Sequence, residues 1–230
     1  MKGDVTIVSC RRPQEEGKPF EIVFGNGEVL SFTEEEVLEY GLYREGESCG
    51  NYENLCTEIL AKRMMASAAS YVLFSKKTEA QVRKRIAEKF AGAEAVAGWE
   101  KFAGAALDET IRRLKELGYL DDAAYCRKYI ASSLRTKPVS RAALLNDLVY
   151  RKGIAKETAE AAAAAVYAEH DCLTDEENAY RLLYKKTGGR IPQEEKELAK
   201  LFRFLAGKGF SYRCAESAMR RIKEEGETNA

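Results

Sequence analysis

A single histidine, His170, is present in a chain of 230 residues. A Ser-His-Asp triad or a histidine-based zinc site therefore has almost no material to work with. The six cysteines (Cys10, Cys49, Cys56, Cys126, Cys172 and Cys214) include no C-x-x-C pair. Free thiols, several of them in helix cores, are the expectation, not a metal site or a disulfide framework. No apolar run approaches the roughly 18 residues that a membrane span needs. The start, Met1-Lys2-Gly3-Asp4, lacks the apolar stretch of a secretory signal. A cytoplasmic chain without membrane contact is expected. Gly188-Gly189-Arg190 lacks the Lys-Ser/Thr that completes a phosphate loop. With no grouping of nucleophile, base and metal ligand, neither an enzyme nor a cofactor is expected.

Charge is balanced only in total: 37 Lys and Arg against 37 Asp and Glu. Residues 1–58 hold 13 acids and 5 bases, whereas the remainder holds 24 acids and 32 bases. The front is acidic and the body basic, which suits a nucleic-acid or nucleoprotein partner without requiring one.

The chain also changes character along its length. Val5–Val8, Phe20–Phe24 and Val29–Phe32 are short β-type runs, and Asn26-Gly27 between the last two is a hairpin signal. Thr33 with Glu36 forms a capping box for a short helix stopped by Gly41. So small a sheet, of two or three strands, is marginal alone and is expected to pack on helices or on a partner.

From about residue 52 helical periodicity takes over. A long helix near 53–74 precedes one capped by Thr78 that carries Val82, Ile86 and Phe90. The next carries Leu107, Ile111, Leu114 and Leu117 at helical spacing. The stretch 92–105, rich in Ala and Gly around Trp99, reads as a mobile or irregular insert. Asp121-Asp122 opens the following helix, where adjacent carboxylates suit a helix N-terminus and not a metal. Tyr125, Tyr129 and Ile130 are expected to face inward. Ser140 caps a helix with Leu144, Leu145, Leu148 and Val149, and an Ala-rich helix spans 156–168. Thr174 opens a last group with Tyr180, Leu183 and Tyr184 on its buried face, then Leu198, Leu201, Phe202 and Leu205, then Ala215, Met219 and Ile222. Helices end in Gly plus an apolar residue at Gly118-Tyr119, Gly153-Ile154 and Gly209-Phe210, the mark of repeated helical units. The fold class expected is mainly α: three tandem three-helix repeats in an elongated, curved body behind a small β-containing domain. The boundaries are 1–50 for the acidic front domain and 51–120, 121–170 and 171–226 for the repeats, with a polar tail from Glu224.

The phrase Gly118-Tyr119-Leu120-Asp121-Asp122, the tyrosine-bearing helix after it and the helix ended by Lys152-Gly153-Ile154 together resemble the bacterial RecX family. Thr78-Glu79-Ala80-Gln81-Val82 resembles the family's Ser-x-x-Glu-Leu segment, with Gln81 and Val82 as departures. Tyr40-Gly41-Leu42-Tyr43 resembles the small front domain of Gram-positive members. Lys137-Pro138-Val139-Ser140 stands where Gly-Pro is common. The resemblance covers nearly the whole chain through the order of its motifs. It implies a regulator, typically an inhibitor, of the RecA recombinase that binds in the groove of the RecA–single-stranded-DNA filament and modulates its growth, ATP hydrolysis, strand exchange and co-protease activity. A monomer with some weak direct DNA binding is expected. The alternative is a helix-turn-helix-like DNA-binding regulator acting without RecA.

A filament groove calls for a face rich in Lys and Arg. The first cluster is Lys76, Lys77, Arg83, Lys84 and Arg85, whose other reading is a solvated helix face. The second is Arg127, Lys128, Arg135, Lys137, Arg141, Arg151 and Lys152, on the central repeat. In the third repeat, Lys185, Lys186, Arg190, Arg220, Arg221 and Lys223 read as structural, in part through the helix dipole. Tyr119, Tyr125 and Tyr129 could stack on bases, although their spacing favours core packing.

Overall fold

The structure, a computed structural model, describes residues 4–15, 17–91, 98–169 and 174–228. His170 and Cys172 lie outside the described residues. The chain divides into two compact parts, residues 1–120 and 121–230.

In the first part, β1 (Val5–Arg11), β2 (Phe20–Phe24), β3 (Val29–Phe32) and β4 (Ser48–Cys49) form one antiparallel sheet in the order β3-β2-β1-β4. The β2–β3 hairpin pairs Phe20 with Phe32 and Val23 with Val29. It turns through Gly27, whose φ of 85° puts it in the left-handed region that glycine enters at little cost. Alternation sends Ile22, Phe24, Leu30 and Phe32 to a single buried face. After β3 comes α1 (Glu34–Glu39), with the Thr33–Glu36 capping box formed in both directions.

That buried face packs on α2 (Tyr52–Leu73), α3 (Glu79–Phe90) and α4 (Glu100–Glu116), and all share one hydrophobic core. Ala61, Ala68 and Ala106 are fully buried there. The buried hydroxyl of Thr110 donates to the carbonyl of Ala106 at 2.8 Å. Arg63 fastens helix to sheet: its guanidinium donates to Glu36 (2.7 and 2.6 Å) and to the Ser31 carbonyl (2.9 Å).

The expectation of an irregular insert over 92–105 needs correction. Residues 92–97 lie outside the described residues, but α4 begins at Glu100. Trp99, 1% exposed, sits in the core with its ring 5.1 Å from that of Phe32. An indole with that much apolar surface is drawn to the largest core available. Leu117 also departs from expectation. It is exposed because α4 ends there, and Gly118 (φ 74°) then turns the chain so that Leu120 is buried in its place.

In the second part, α5 (Asp122–Thr136), α6 (Arg141–Asn146) and α7 (Lys156–Glu169) surround one core, and α8 (Asp175–Thr187), α9 (Glu195–Gly207) and α10 (Tyr212–Thr228) another. Asp121, Ser140 and Thr174 each cap a helix by accepting a backbone N–H bond. Ser140 also donates to the carbonyl of Lys208 at 2.8 Å, and the N–H of Arg141 donates to Asp175 at 2.8 Å. These bonds join the two three-helix groups. Tyr184, expected to be buried, is exposed. It packs instead beside Tyr180 and over Gly189 at the end of α8.

The helix begun by α6 widens into a π-helical turn over Asp147–Arg151, with the N–H of Lys152 donating to the carbonyl of Asp147 at 3.0 Å. Turns of this kind occur often at functional sites.

Candidate basic interface

The first basic cluster is dispersed by its own neighbours. Lys76 is exposed in the turn after α2. Lys77 is half-buried, donating to Ser75 at 2.6 Å and lying 4.7 Å from the Tyr71 ring centre. Arg83 is an internal strut, bonded to Glu79 at 2.7 Å and to Asp108 of α4 at 2.6 Å. Lys115 takes the other oxygen of Glu79 at 2.6 Å. Lys84 stands 3.8 Å from Glu88, and Arg85 is exposed.

The central cluster divides by helix face. On α5, Cys126, Ile130 and Leu134 point into the core, so Lys128 and Arg135, seven residues apart, share the outward side. Arg127, Lys128, Arg135 and Lys137 are exposed, and no carboxylate among the described residues lies within ion-pair distance of them. Arg127 borders a groove between α5 and α7 whose floor includes Ala161 and Ala165 and whose far wall is Glu157. Arg141 turns inward instead, 5.6 Å over the Tyr167 ring. Arg151 reaches back to Asp147 at 2.7 Å, and Lys152 lies 5.9 Å from the Tyr129 ring centre.

Between Asp122 and Glu157 the sequence carries eight Lys or Arg and one acid, Asp147. That acid is turned inward: its side chain is 15% exposed, it receives the Tyr129 hydroxyl, and it holds Arg151. Burial, then the hydrogen bond to Asp147, pushes the Tyr129 phenol up to about 12. Tyr125 and Tyr129 stack in near-parallel planes with ring centres 6.2 Å apart, half-buried against the core. Tyr119 is exposed beyond α4. Along 123–156 the exposed charged side chains are therefore all cationic, because the one carboxylate of the segment is spent internally. Counting acids along 123–156 would have found this from the sequence; the π-turn that presents Tyr150 and Arg151 outward has no such signal.

In the third group two of the cations have clear structural contacts. Arg221 bonds Glu177 (2.8 Å) and Glu225 (3.0 Å) and lies 3.8 Å over the Tyr180 ring. Lys186 covers the Phe204 ring at 4.4 Å. Among the described residues, no group of three or more His, Cys, Asp and Glu side chains could hold a metal ion, and no helix is long and apolar enough to cross a membrane.

A helical-repeat protein, with three-helix groups following a small antiparallel sheet, is the class these elements define. Within that class the likeness is to RecX. Residues 174–219 match the family described as "RecX, third three-helix domain". The regulatory protein RecX of Clostridium perfringens is 29% identical over 153 residues, 64% of this chain and 62% of the relative. That of Thermus thermophilus is 28% identical over 150 residues, 65% of this chain and 85% of the relative. The chain therefore spans somewhat less than two thirds of the Clostridium relative's length. Among solved structures, one of a regulatory protein RecX covers 92% of this chain and 97% of its own at a TM-score of 0.57 and 18% identity. RecX from Lactobacillus salivarius covers 71% and 97% at 0.55 and 19%. The RecX resemblance read from the sequence is borne out.

Proposed function

We propose that this protein regulates RecA by binding along the groove of the RecA–single-stranded-DNA filament, and that it restrains filament growth, ATP hydrolysis, strand exchange and co-protease activity. It works in the cytoplasm, as a monomer, by binding and not by catalysis. The observation that carries the reading is the set Arg127, Lys128, Arg135 and Lys137, exposed and without a carboxylate partner among the described residues, in a chain whose third three-helix group matches the RecX family. Cations without an internal carboxylate give up only hydration when they meet phosphate or acidic side chains, and each phosphate neutralised releases counterions. Lys76 and Arg85 of the first repeat are secondary anchors, whereas Arg83 and Arg141 are supports. The acidic front shields the protein from indiscriminate DNA binding.

The test compares affinity for a RecA-coated single strand, a bare single strand and a bare duplex at one fixed salt concentration. Preference for the coated strand is expected. Equal or tighter binding to bare duplex, with a steep salt dependence, would favour a DNA-binding regulator that acts without RecA.

A further inference from the structure

Tyr150, in the π-helical turn, is 82% exposed. Its ring makes no hydrogen bond or ring contact with any described residue. Leu144 and Leu148, one helical turn apart, are buried. The widened turn then carries Arg151 off that face, so its side chain is 80% exposed. The next apolar anchor is Ile154, reached through Gly153 at φ 72°. Tyr150 and Arg151 thus stand outward side by side, with Arg151 held at 2.7 Å by Asp147, whose other carboxylate oxygen receives the Tyr129 hydroxyl. An open aromatic face among cations, with no exposed acid between Asp122 and Glu157, has the chemistry of a base-stacking platform.

We propose that Tyr150 stacks on an unpaired base of single-stranded nucleic acid while the exposed Arg151 guanidinium meets a flanking phosphate. This rests on the reading that the basic side of α5 and α6 faces a nucleoprotein, and it adds a direct nucleic-acid contact to that reading. A protein surface as the partner of this ring is the competing outcome. A tyrosine anchor in a protein pocket is insensitive to whether the strand is present, whereas stacking requires the base.

The experiment uses the full chain and a labelled oligo-dT strand, without RecA, at low salt. Tyr150→Ala should weaken binding by about tenfold, within the range that loss of one aromatic–base stack gives. The salt slope should be unchanged because no cation is removed, and Tyr150→Phe should bind as the parent does. Circular dichroism checks that the fold is kept. Photocrosslinking to a bromodeoxyuridine strand should place an adduct on Tyr150. Unchanged affinity of Tyr150→Ala, or adducts only elsewhere, overturns the proposal. If Tyr150→Ala keeps its oligo-dT affinity but loses affinity for the RecA-coated strand, the ring contacts protein: the stacking proposal fails while the filament reading stands.

Discussion

The hydroxyl of Tyr129 donates to one carboxylate oxygen of Asp147 across the gap between α5 and the π-helical turn, while Arg151 holds the other, so the only carboxylate of the 123–156 segment is engaged on both oxygens. Tyr129→Phe should cost about 1 kcal/mol, the usual net worth of one such bond. The mutant should also behave differently at alkaline pH. The folded phenol titrates near 12 against an ordinary 10.0. A raised folded pKa means that the contribution is whole below pH 10 and is lost as pH rises toward 12. Urea midpoints of parent and Tyr129→Phe should therefore converge over that window; a constant difference would contradict the assignment.

Arg63 and Glu36 form the most enclosed ion pair of the first part, with side chains 17% and 15% exposed. Burial pushes the Glu36 carboxyl up, but the hydrogen bonds from Arg63 and Thr33 outweigh it and hold the group below its ordinary 4.5. A depressed folded pKa gives stability that is present above pH 4.5 and lost as pH falls below it. Arg63→Met should cost about 2 to 3 kcal/mol at neutral pH, since it strands a carboxylate that is largely enclosed. Acid denaturation followed by Trp99 emission should show the mutant losing less on acidification than the parent.

Ser140 and Gly209 are coupled through space. Gly209 has φ 83°, and a Cβ there would stand 2.7 Å from the Ser140 hydroxyl oxygen. Gly209→Ala should cost about 2 kcal/mol or more from backbone strain and the clash together. Ser140→Ala alone should cost about 1 to 2 kcal/mol through the lost cap. In the Ser140→Ala background the glycine substitution should cost measurably less, because the clashing oxygen is gone. Strict additivity in a double-mutant cycle would contradict this joint between the two three-helix groups.

Trp99 is the only tryptophan and is buried in the first part. Its emission should be blue-shifted and poorly quenched by acrylamide, and it should report unfolding of residues 1–120 alone. If the parts unfold separately, helix loss followed by circular dichroism will extend beyond the tryptophan transition.

Much of the fold was legible because the signals were local. Thr33, Thr78 and Ser140 cap the helices they were read to cap, since a hydroxyl before a periodic run answers to its own backbone. The Asn26-Gly27 hairpin is equally local. The two-residue β4 escaped because its pairing with Val5 and Thr6 is set some forty residues away. Trp99 escaped because its Ala- and Gly-rich flanks suggested a loop, while its burial depends on Phe32 and Arg63. The basic residues were legible as a list but not as a surface. Arg83 and Arg141 look no different in sequence from Lys128 and Arg135; only the placement of Asp108 and Tyr167 separates supports from cations that have no carboxylate partner among the described residues.

Charge reversal at Arg127, Lys128, Arg135 and Lys137 together should weaken binding to the RecA-coated strand strongly with helicity intact, as these side chains have no internal role to lose. Reversal at Arg83 should instead lower stability with little specific effect on binding, as read by thermal melts beside the same binding assay.

The most direct measurement is single-stranded-DNA-dependent ATP hydrolysis by the cognate RecA, titrated with this protein well below one copy per RecA. The account predicts strong inhibition at those low ratios, and its loss in the Arg127/Lys128/Arg135/Lys137 charge-reversal variant. Unchanged hydrolysis even at equal ratios, with tight binding to bare DNA, would contradict it.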